Sequence, residues 1–226
     1  MAVQKIEAWS FSRLQDYRKC ALFAKYKHVD KLKEPGNAAM DRGSAIGKMV
    51  EDFIKVSGNA SRKPASEIAA FGAEFLELRK RKASCEDQWA FDKEWNEVDW
   101  FAKDAWLRVK TDIYSFDLAS NTLLVVDVKT GKVREEHLEQ LKLYALGAFL
   151  KFPTAAFVDV RLWYLDGGIE VPAEPKVYSR AELPALKVYW LKETKGMLAD
   201  TRFAPKPGYG CKYCFFSKAK QGPCQY

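Results

Sequence analysis

The sequence predicts an α/β protein in which a β-sheet is layered with helices. Three observations lead there. Apolar residues follow a helical period through the first third of the chain and again in two later stretches. Between those stretches they switch to short runs rich in β-branched and aromatic residues. The 226 residues, 48% hydrophobic and 30% charged, suffice for one domain, at most two, with a real core, and exclude disorder and coiled coil.

Taken in order, Ser10 to Tyr26 reads as a helix with Ser10 or Ser12 as cap and Leu14, Tyr17, Leu22 and Phe23 as core candidates. After the breaker Pro35-Gly36, a second helix is predicted from about Asp41 to Val56, with Ile46, Val50, Phe53 and Ile54 on one stripe and Glu51 off it. Pro64 to Lys82 is a third helix, after which the sheet begins. Trp106 to Ser115 and Thr122 to Lys129 are strands joined by the turn Phe116 to Asn121. Glu135 to Lys151 is a long helix carrying Leu138, Leu141, Ala145, Ala148 and Phe149 inward. Phe157 to Leu165 is another strand, bounded by Asp166-Gly167-Gly168, and Ala181 to Ala199 a closing helix.

No stretch approaches the roughly 20 apolar residues that cross a bilayer, and Met1 to Ser10 lacks the apolar core of a signal peptide. The expectation is a soluble cytoplasmic protein. Its net charge of +7 is concentrated at the two ends. Residues 1–34 carry eight bases against four acids, and 201–226 carry five bases and no acid, leaving a slightly acidic body. Beyond ordinary solvated lysines, such clustering fits a polyanion footprint.

Four of the five cysteines lie in the same ends: Cys20, Cys211, Cys214 and Cys224. An odd count without a secretory signal argues against a disulfide framework. The Cys211-x2-Cys214 pair lets two thiolates converge on one ion, and with Cys224 and Cys20 the site would be all-thiolate, suited to zinc or an iron-sulphur cluster. Unconnected thiols are the plain alternative, and Cys85, inside a charged run, is read as one.

The strand Thr122 to Lys129 places Asp127 and Lys129 on one face with Leu123 and Val125. Asp112, at the end of the preceding strand, is placed to meet Asp127 across the hairpin. Two carboxylates beside a lysine suit a hard divalent cation, and the lysine would orient or help deprotonate an attacking water.

Glu51, Asp112 and Asp127-Val128-Lys129 together resemble the PD-(D/E)XK nuclease signature of the RecB-like branch. Further resemblances to that branch lie in Ser10 to Leu14 with Tyr17 and Cys20, in Arg42-Gly43-Ser44-Ala45-Ile46, in Thr130-Gly131-Lys132 and in Gln140-Leu141-Lys142-Leu143-Tyr144. The cysteine-bearing tail resembles the part that holds a [4Fe-4S] cluster in the iron-sulphur exonucleases of helicase-nucleases, CRISPR adaptation and phage recombination. The resemblance spans nearly the whole chain. It implies a restriction-endonuclease-like core with a mixed central sheet, formed as a single domain 1–226. Residues 41–199 would be the catalytic core, and 1–34 with 201–226 a basic subregion joined by a four-cysteine cluster.

Carried over, Asp112 and Asp127 ligate Mg²⁺ or Mn²⁺, the Val128 carbonyl is a further ligand, Glu51 holds the metal directly or through water, and Lys129 activates the water. Gln140 and Tyr144, one turn apart, position DNA or the catalytic strand. Cys20, Cys211, Cys214 and Cys224 hold the cluster, with Zn²⁺ as the alternative. The implied activity is metal-dependent DNA exonuclease action on single strands or duplex ends, leaving 5′-phosphates, with Tyr17, Trp100, Trp106 or Tyr144 as stacking candidates for bases. Implied partners are DNA and a recombinase, single-strand annealing protein or helicase, in the host cytoplasm if the chain is phage-encoded.

Two departures stand out. Many members of the branch carry a metal-binding histidine four residues before the helix glutamate, where this chain has Gly47, and the gap from Cys214 to Cys224 is nine residues long. A catalytically degenerate DNA-binding subunit and a zinc-stapled adaptor are the competing readings. The short matches Ser217-Lys218-Ala219-Lys220 and Lys129-Thr130-Gly131 to serine β-lactamase motifs come in the wrong order and are chance.

Overall fold

The computed structural model describes residues 4–55 and 63–226, with the backbone alone at 173–175. Val56, the predicted end of the second helix, lies outside the described residues. The chain forms two compact units, one of residues 38–188 and one of residues 1–37 with 189–226.

The first of these units is built on a six-stranded sheet. Its strands are β1 (Ser84–Phe91), β2 (Glu97–Val98), β3 (Leu107–Asp117), β4 (Thr122–Lys129), β5 (Phe157–Tyr164) and β6 (Ile169–Ser179). They lie in the order β2-β1-β3-β4-β5-β6, with β4 and β5 parallel and every other pair antiparallel. The mixed sheet of the prediction is therefore present, and the β4-to-β5 crossover is the helix Glu135–Lys151.

Helices cover both faces. In unit order they are α3 (Ala38–Lys55), α4 (Gly72–Lys80) and α5 (Glu135–Lys151), numbered after α1 (Phe11–Lys19) and α2 (Ala21–Ala24) of the other unit. The stripe Ile46, Val50, Phe53 and Ile54 of α3 packs with Ile68, Phe71, Phe75 and Leu78 against Cys85, Ile113, Val126 and Trp163 of the sheet. Phe71 stacks on Trp163 at 4.9 Å between ring centres. On the other face α5 buries Leu141, Tyr144, Ala145, Ala148 and Phe149. It approaches so closely that a side chain at Gly147 would meet Val109 Cγ2 at 3.1 Å. Leu138, predicted inward, is 43% exposed. It lies on the first turns of α5, ahead of the buried stretch that starts at Leu141.

The strand alternation of β1 and β3 is broken. Cys85 and Ile113 join the α3 and α4 side, whereas Trp89 and Val109 approach Gly147 on the α5 side, although an even spacing would place each pair on one face. The break falls at Glu86, whose φ is +56°, opposite the segment of β3 that holds Asp112.

The predicted helix Pro64 to Lys82 is split into a 3₁₀ turn, Ser66–Phe71, and α4. Gly72, the first residue of α4, leaves room for Pro64, whose Cγ a side chain there would meet at 2.7 Å. The hairpin turn is shorter than predicted because β3 runs on to Asp117, and Asn121 takes a left-handed φ of +52°.

In the second unit the predicted helix Ser10 to Tyr26 breaks at Cys20, whose φ and ψ of −165° and 121° are extended. Ser10 caps α1 by accepting from Arg13 N at 3.4 Å, and a π turn, Lys25–Val29, follows α2. Trp9, Phe11, Leu14 and Phe23 are buried, with Trp9 and Phe11 against Trp190 of α6 (Leu183–Ala199). Among the described residues no helix is long and apolar enough to cross a membrane.

Candidate active site

The carboxyl-terminal end of β4 gathers six of the predicted residues. Strand register brings Ile113 opposite Val126, so Asp112 and Asp127 come next to each other on neighbouring strands. Asp112 Oδ2 accepts from the Val128 backbone N–H at 2.8 Å. Asp127 is 2% exposed, and its Oδ2 lies 2.6 Å from Lys129 Nζ. Its Oδ1 accepts a short hydrogen bond from the Tyr144 hydroxyl, which in turn accepts from Gln140 Nε2 at 2.7 Å. The one-turn spacing of Gln140 and Tyr144 on α5 thus becomes a relay of donors ending on Asp127.

The charges explain how these groups titrate. Burial pushes the Asp112 carboxyl up to about 7, and the Asp127 charge adds to it, against opposing pulls from Lys129 and the Val128 amide. Burial and then the charges of Asp127 and Asp112 hold Tyr144 well above its usual 10, so the hydroxyl stays a donor. At Lys129 burial favours the neutral amine, but the Asp127 charge and hydrogen bond and the Asp112 charge outweigh it, and the group sits above 10.5 as an ammonium.

Glu51 is placed differently. It projects from α3 and is held by Lys55 Nζ at 2.7 Å and Lys48 Nζ at 3.2 Å, which lower its acidity range. It still acts electrostatically on Lys110 and Cys85, as does Asp112. Among the described residues no three Asp, Glu, His or Cys side chains are arranged as a metal-holding group.

The donor chemistry nonetheless fits a hard dication. Asp112 and Asp127 are hard oxygen donors side by side, and their mutual repulsion, which Lys129 only partly offsets, is what a bound cation would relieve.

Three neighbours escaped the sequence reading. Glu86 sits on β1 opposite Asp112, ion-pairs with Lys110, and places Oε1 3.7 Å from where a side chain at Gly47 would begin. Its left-handed backbone, which breaks the strand pattern, also hides it from a periodicity search. Tyr164 of β5 is buried and bonds His137 Nδ1 at 2.6 Å, and Lys129 acts on both electrostatically. Burial and then the Lys129 charge keep His137 below 6.5. Just past β5, Asp166 accepts from Gly131 N at 2.7 Å and from Arg42 at 2.9 Å, pinning the loop that leads from β4 into α5.

Of the base-stacking candidates, Tyr144 and Trp106 are corrected by their burial, at 3% and 7% exposure. The Tyr144 ring belongs to the sheet-facing side of α5 because its hydroxyl is committed to Asp127.

The four cysteines all belong to the second unit, where they line one cavity of about 270 Å³ with Phe23, Tyr26 and Phe216. Lys206 N donates to Cys20 Sγ at 3.4 Å, and burial raises the Cys214 thiol against the smaller pull of a Phe216 backbone hydrogen bond. Among the described residues these four thiols are not drawn together as a metal-holding group. Cys85 is buried in the sheet, and burial pushes its thiol up to about 12, an inert state.

The mixed sheet thus carries Asp112 and the Asp127-Val128-Lys129 pair, with Glu51 on a helix of the same unit. The family model of the PD-(D/E)XK nuclease superfamily matches residues 8–219, and the chain belongs to that superfamily. No curated protein gives a significant match. Among solved structures, the "Putative exonuclease" from Eubacterium rectale is similar at 12% identity with a TM-score of 0.49, over 95% of this chain and 87% of that one. SSO0001 is similar at 15% identity with a TM-score of 0.42, over 100% of this chain and 90% of that one.

Proposed function

We propose that the protein is a DNA exonuclease dependent on Mg²⁺ or Mn²⁺. The observation that carries the reading is the pair Asp112 and Asp127, adjacent on β3 and β4 with Lys129 Nζ 2.6 Å from Asp127, in a member of a nuclease superfamily. Asp112, Asp127, the Val128 carbonyl and Glu51 would hold the ion. When bound, such an ion neutralises the scissile phosphate and makes a coordinated water more acidic.

The chain's own groups do the rest. The Val128 N–H fixes Asp112, and the Gln140 to Tyr144 relay fixes Asp127, so both acids present their remaining oxygens in one place. Lys129 is an ammonium and cannot take a proton, so it orients the attacking water by donating to it and adds positive charge beside the developing phosphorane. The bond from phosphorus to the 3′ oxygen breaks as the water's oxygen bonds to phosphorus, the water's proton passes to solvent and the departing oxygen takes one up, leaving a 5′-phosphate and a 3′-hydroxyl. Strand-end substrates in DNA processing, with a recombinase, annealing protein or helicase as companion, complete the reading.

A second proposal concerns the other unit. The shared cavity supports a [4Fe-4S] cluster on Cys20, Cys211, Cys214 and Cys224 that staples the two basic ends, with Zn²⁺ as the alternative. Anaerobic purification separates the two, because a cluster gives a brown protein absorbing near about 400 nm and zinc does not.

The nuclease reading is tested with end-labelled single- and double-stranded DNA, in Mg²⁺, in Mn²⁺ and in EDTA. Loss of label that requires metal and disappears in Asp127→Ala, with DNA binding retained, is the expected result. Cleavage surviving Asp127→Ala overturns the site. Binding without cleavage in either metal replaces the enzyme with the binding-subunit alternative.

A further inference from the structure

The segment 201–226 holds six aromatic residues, five bases and no acid. Two of the rings, Phe203 and Phe216, are buried and account for its packing. The other four are open to solvent: Tyr209 is 78% exposed, Tyr213 66%, Tyr226 44% and Phe215 38%. An exposed aromatic cluster is informative where a single exposed ring is not.

Tyr209 and Tyr213 lie on one 3₁₀ turn, with ring centres 5.5 Å apart and their hydroxyls bonded at 2.9 Å, so each ring braces the other upright. Lys212 Nζ lies 5.9 Å from the Tyr213 ring centre, and Lys206, Lys218 and Lys220 are also exposed. The turn is closed by Cys211 N bonding Gly208 O at 2.9 Å and Cys214 N bonding Cys211 O at 3.1 Å, and Ser217 N bonding Cys214 O at 3.2 Å ties it to the segment that follows.

We infer that Tyr209 and Tyr213 form a stacking platform for unpaired bases, with the surrounding lysines holding the phosphates of a single-stranded nucleic acid. Flat rings held open to solvent take a base on an exposed face, and the lysines of this segment attract the backbone without reading its sequence. A duplex keeps its bases stacked inside and offers these rings nothing. The inference rests on the nucleic-acid substrate proposed above and deepens it by favouring single strands.

The test measures binding of a labelled oligothymidine and of a duplex of equal length by fluorescence anisotropy, in EDTA, with the full-length protein. Tyr213→Ala should weaken single-strand binding on the order of tenfold, and Tyr209→Ala with Tyr213→Ala on the order of a hundredfold. Duplex binding and the salt dependence should stay as in the wild type, because no charge is removed. Tyr213→Phe should restore binding, and the visible absorbance and circular dichroism of each variant should match the wild type.

Unchanged single-strand affinity in the double variant overturns the platform, as does an equal loss on duplex. Loss of binding to anionic vesicles in place of DNA assigns the rings to a lipid surface and also overturns it. A wild type that binds neither DNA form removes the substrate reading itself, which distinguishes that failure from a failure of the platform alone.

Discussion

Replacing Asp112 by asparagine should stabilise the metal-free protein at pH 8 and leave its stability unchanged at pH 4. The carboxyl titrates at 3.8 when free of the fold and is pushed up to about 7 inside it, by burial first and by Asp127 second. Between those values the folded state binds the extra proton, so stability falls as pH rises through the window and the loss is complete above about 7. Some three pKa units at about 1.4 kcal/mol each give a penalty of about 4 kcal/mol. Asparagine keeps an oxygen for the Val128 N–H and carries no charge, so it recovers most of that penalty. The assay is urea unfolding in EDTA at a series of pH values, followed through Trp89 and Trp163, both buried in the sheet unit. A variant that is less stable than the wild type at pH 8, or more stable by the same amount at pH 4, refutes the argument from buried like charges. Excess Mg²⁺ should narrow or reverse the gap, because a ligand bound only by the folded wild type stabilises it.

Tyr144→Phe strips Asp127 Oδ1 of its donor inside the protein, and should cost about 1–3 kcal/mol in the same unfolding assay while raising the Mg²⁺ concentration needed for half-maximal cleavage. Lys129→Ala should lower the cleavage rate by about a hundredfold or more, measured under single-turnover conditions, with DNA affinity in EDTA retained. Trp163→Ala removes the ring that stacks on Phe71 and should cost about 3–5 kcal/mol in denaturant unfolding. Cys214→Ser should abolish absorbance near about 400 nm in anaerobically purified protein and speed hydrogen exchange in the unit that holds the cysteines.

The parts of the fold legible in the sequence are those whose environment is uniform. Strand β4 is sandwiched between helices, so it reads as a continuous apolar run, and the polar pair at its end is conspicuous for that reason. Strand β1 is illegible because Glu86 breaks its alternation, sending Cys85 and Trp89 to opposite faces. Strand β6 is an edge, which tolerates Pro172 and alternating charge that would disqualify a central strand. Cys20 interrupts a helix that periodicity alone continues through, and no local pattern announces the extended residue. The role of Tyr144 is a tertiary fact, since an apolar helix face does not tell whether a ring opens to solvent or turns its hydroxyl onto a strand.

The same charge logic accounts for the resting geometry of the site. Three of the four acids have lysine partners, Glu51 with Lys48 and Lys55, Glu86 with Lys110 and Asp127 with Lys129, whereas Asp112 has the Val128 N–H. The first three lysines are half or more exposed, so their pairs are screened by water and contribute little that an entering cation must displace. Lys129 is different, at 22% exposure against a carboxylate that is 3% exposed, and removing it leaves a buried charge uncompensated. On the proposed reading the outer lysines therefore give way to the metal and turn to the phosphates, while Lys129 stays. A carboxylate cluster that would repel itself is in this way kept folded before its ion arrives, and the lysine that remains is the one placed to orient the water.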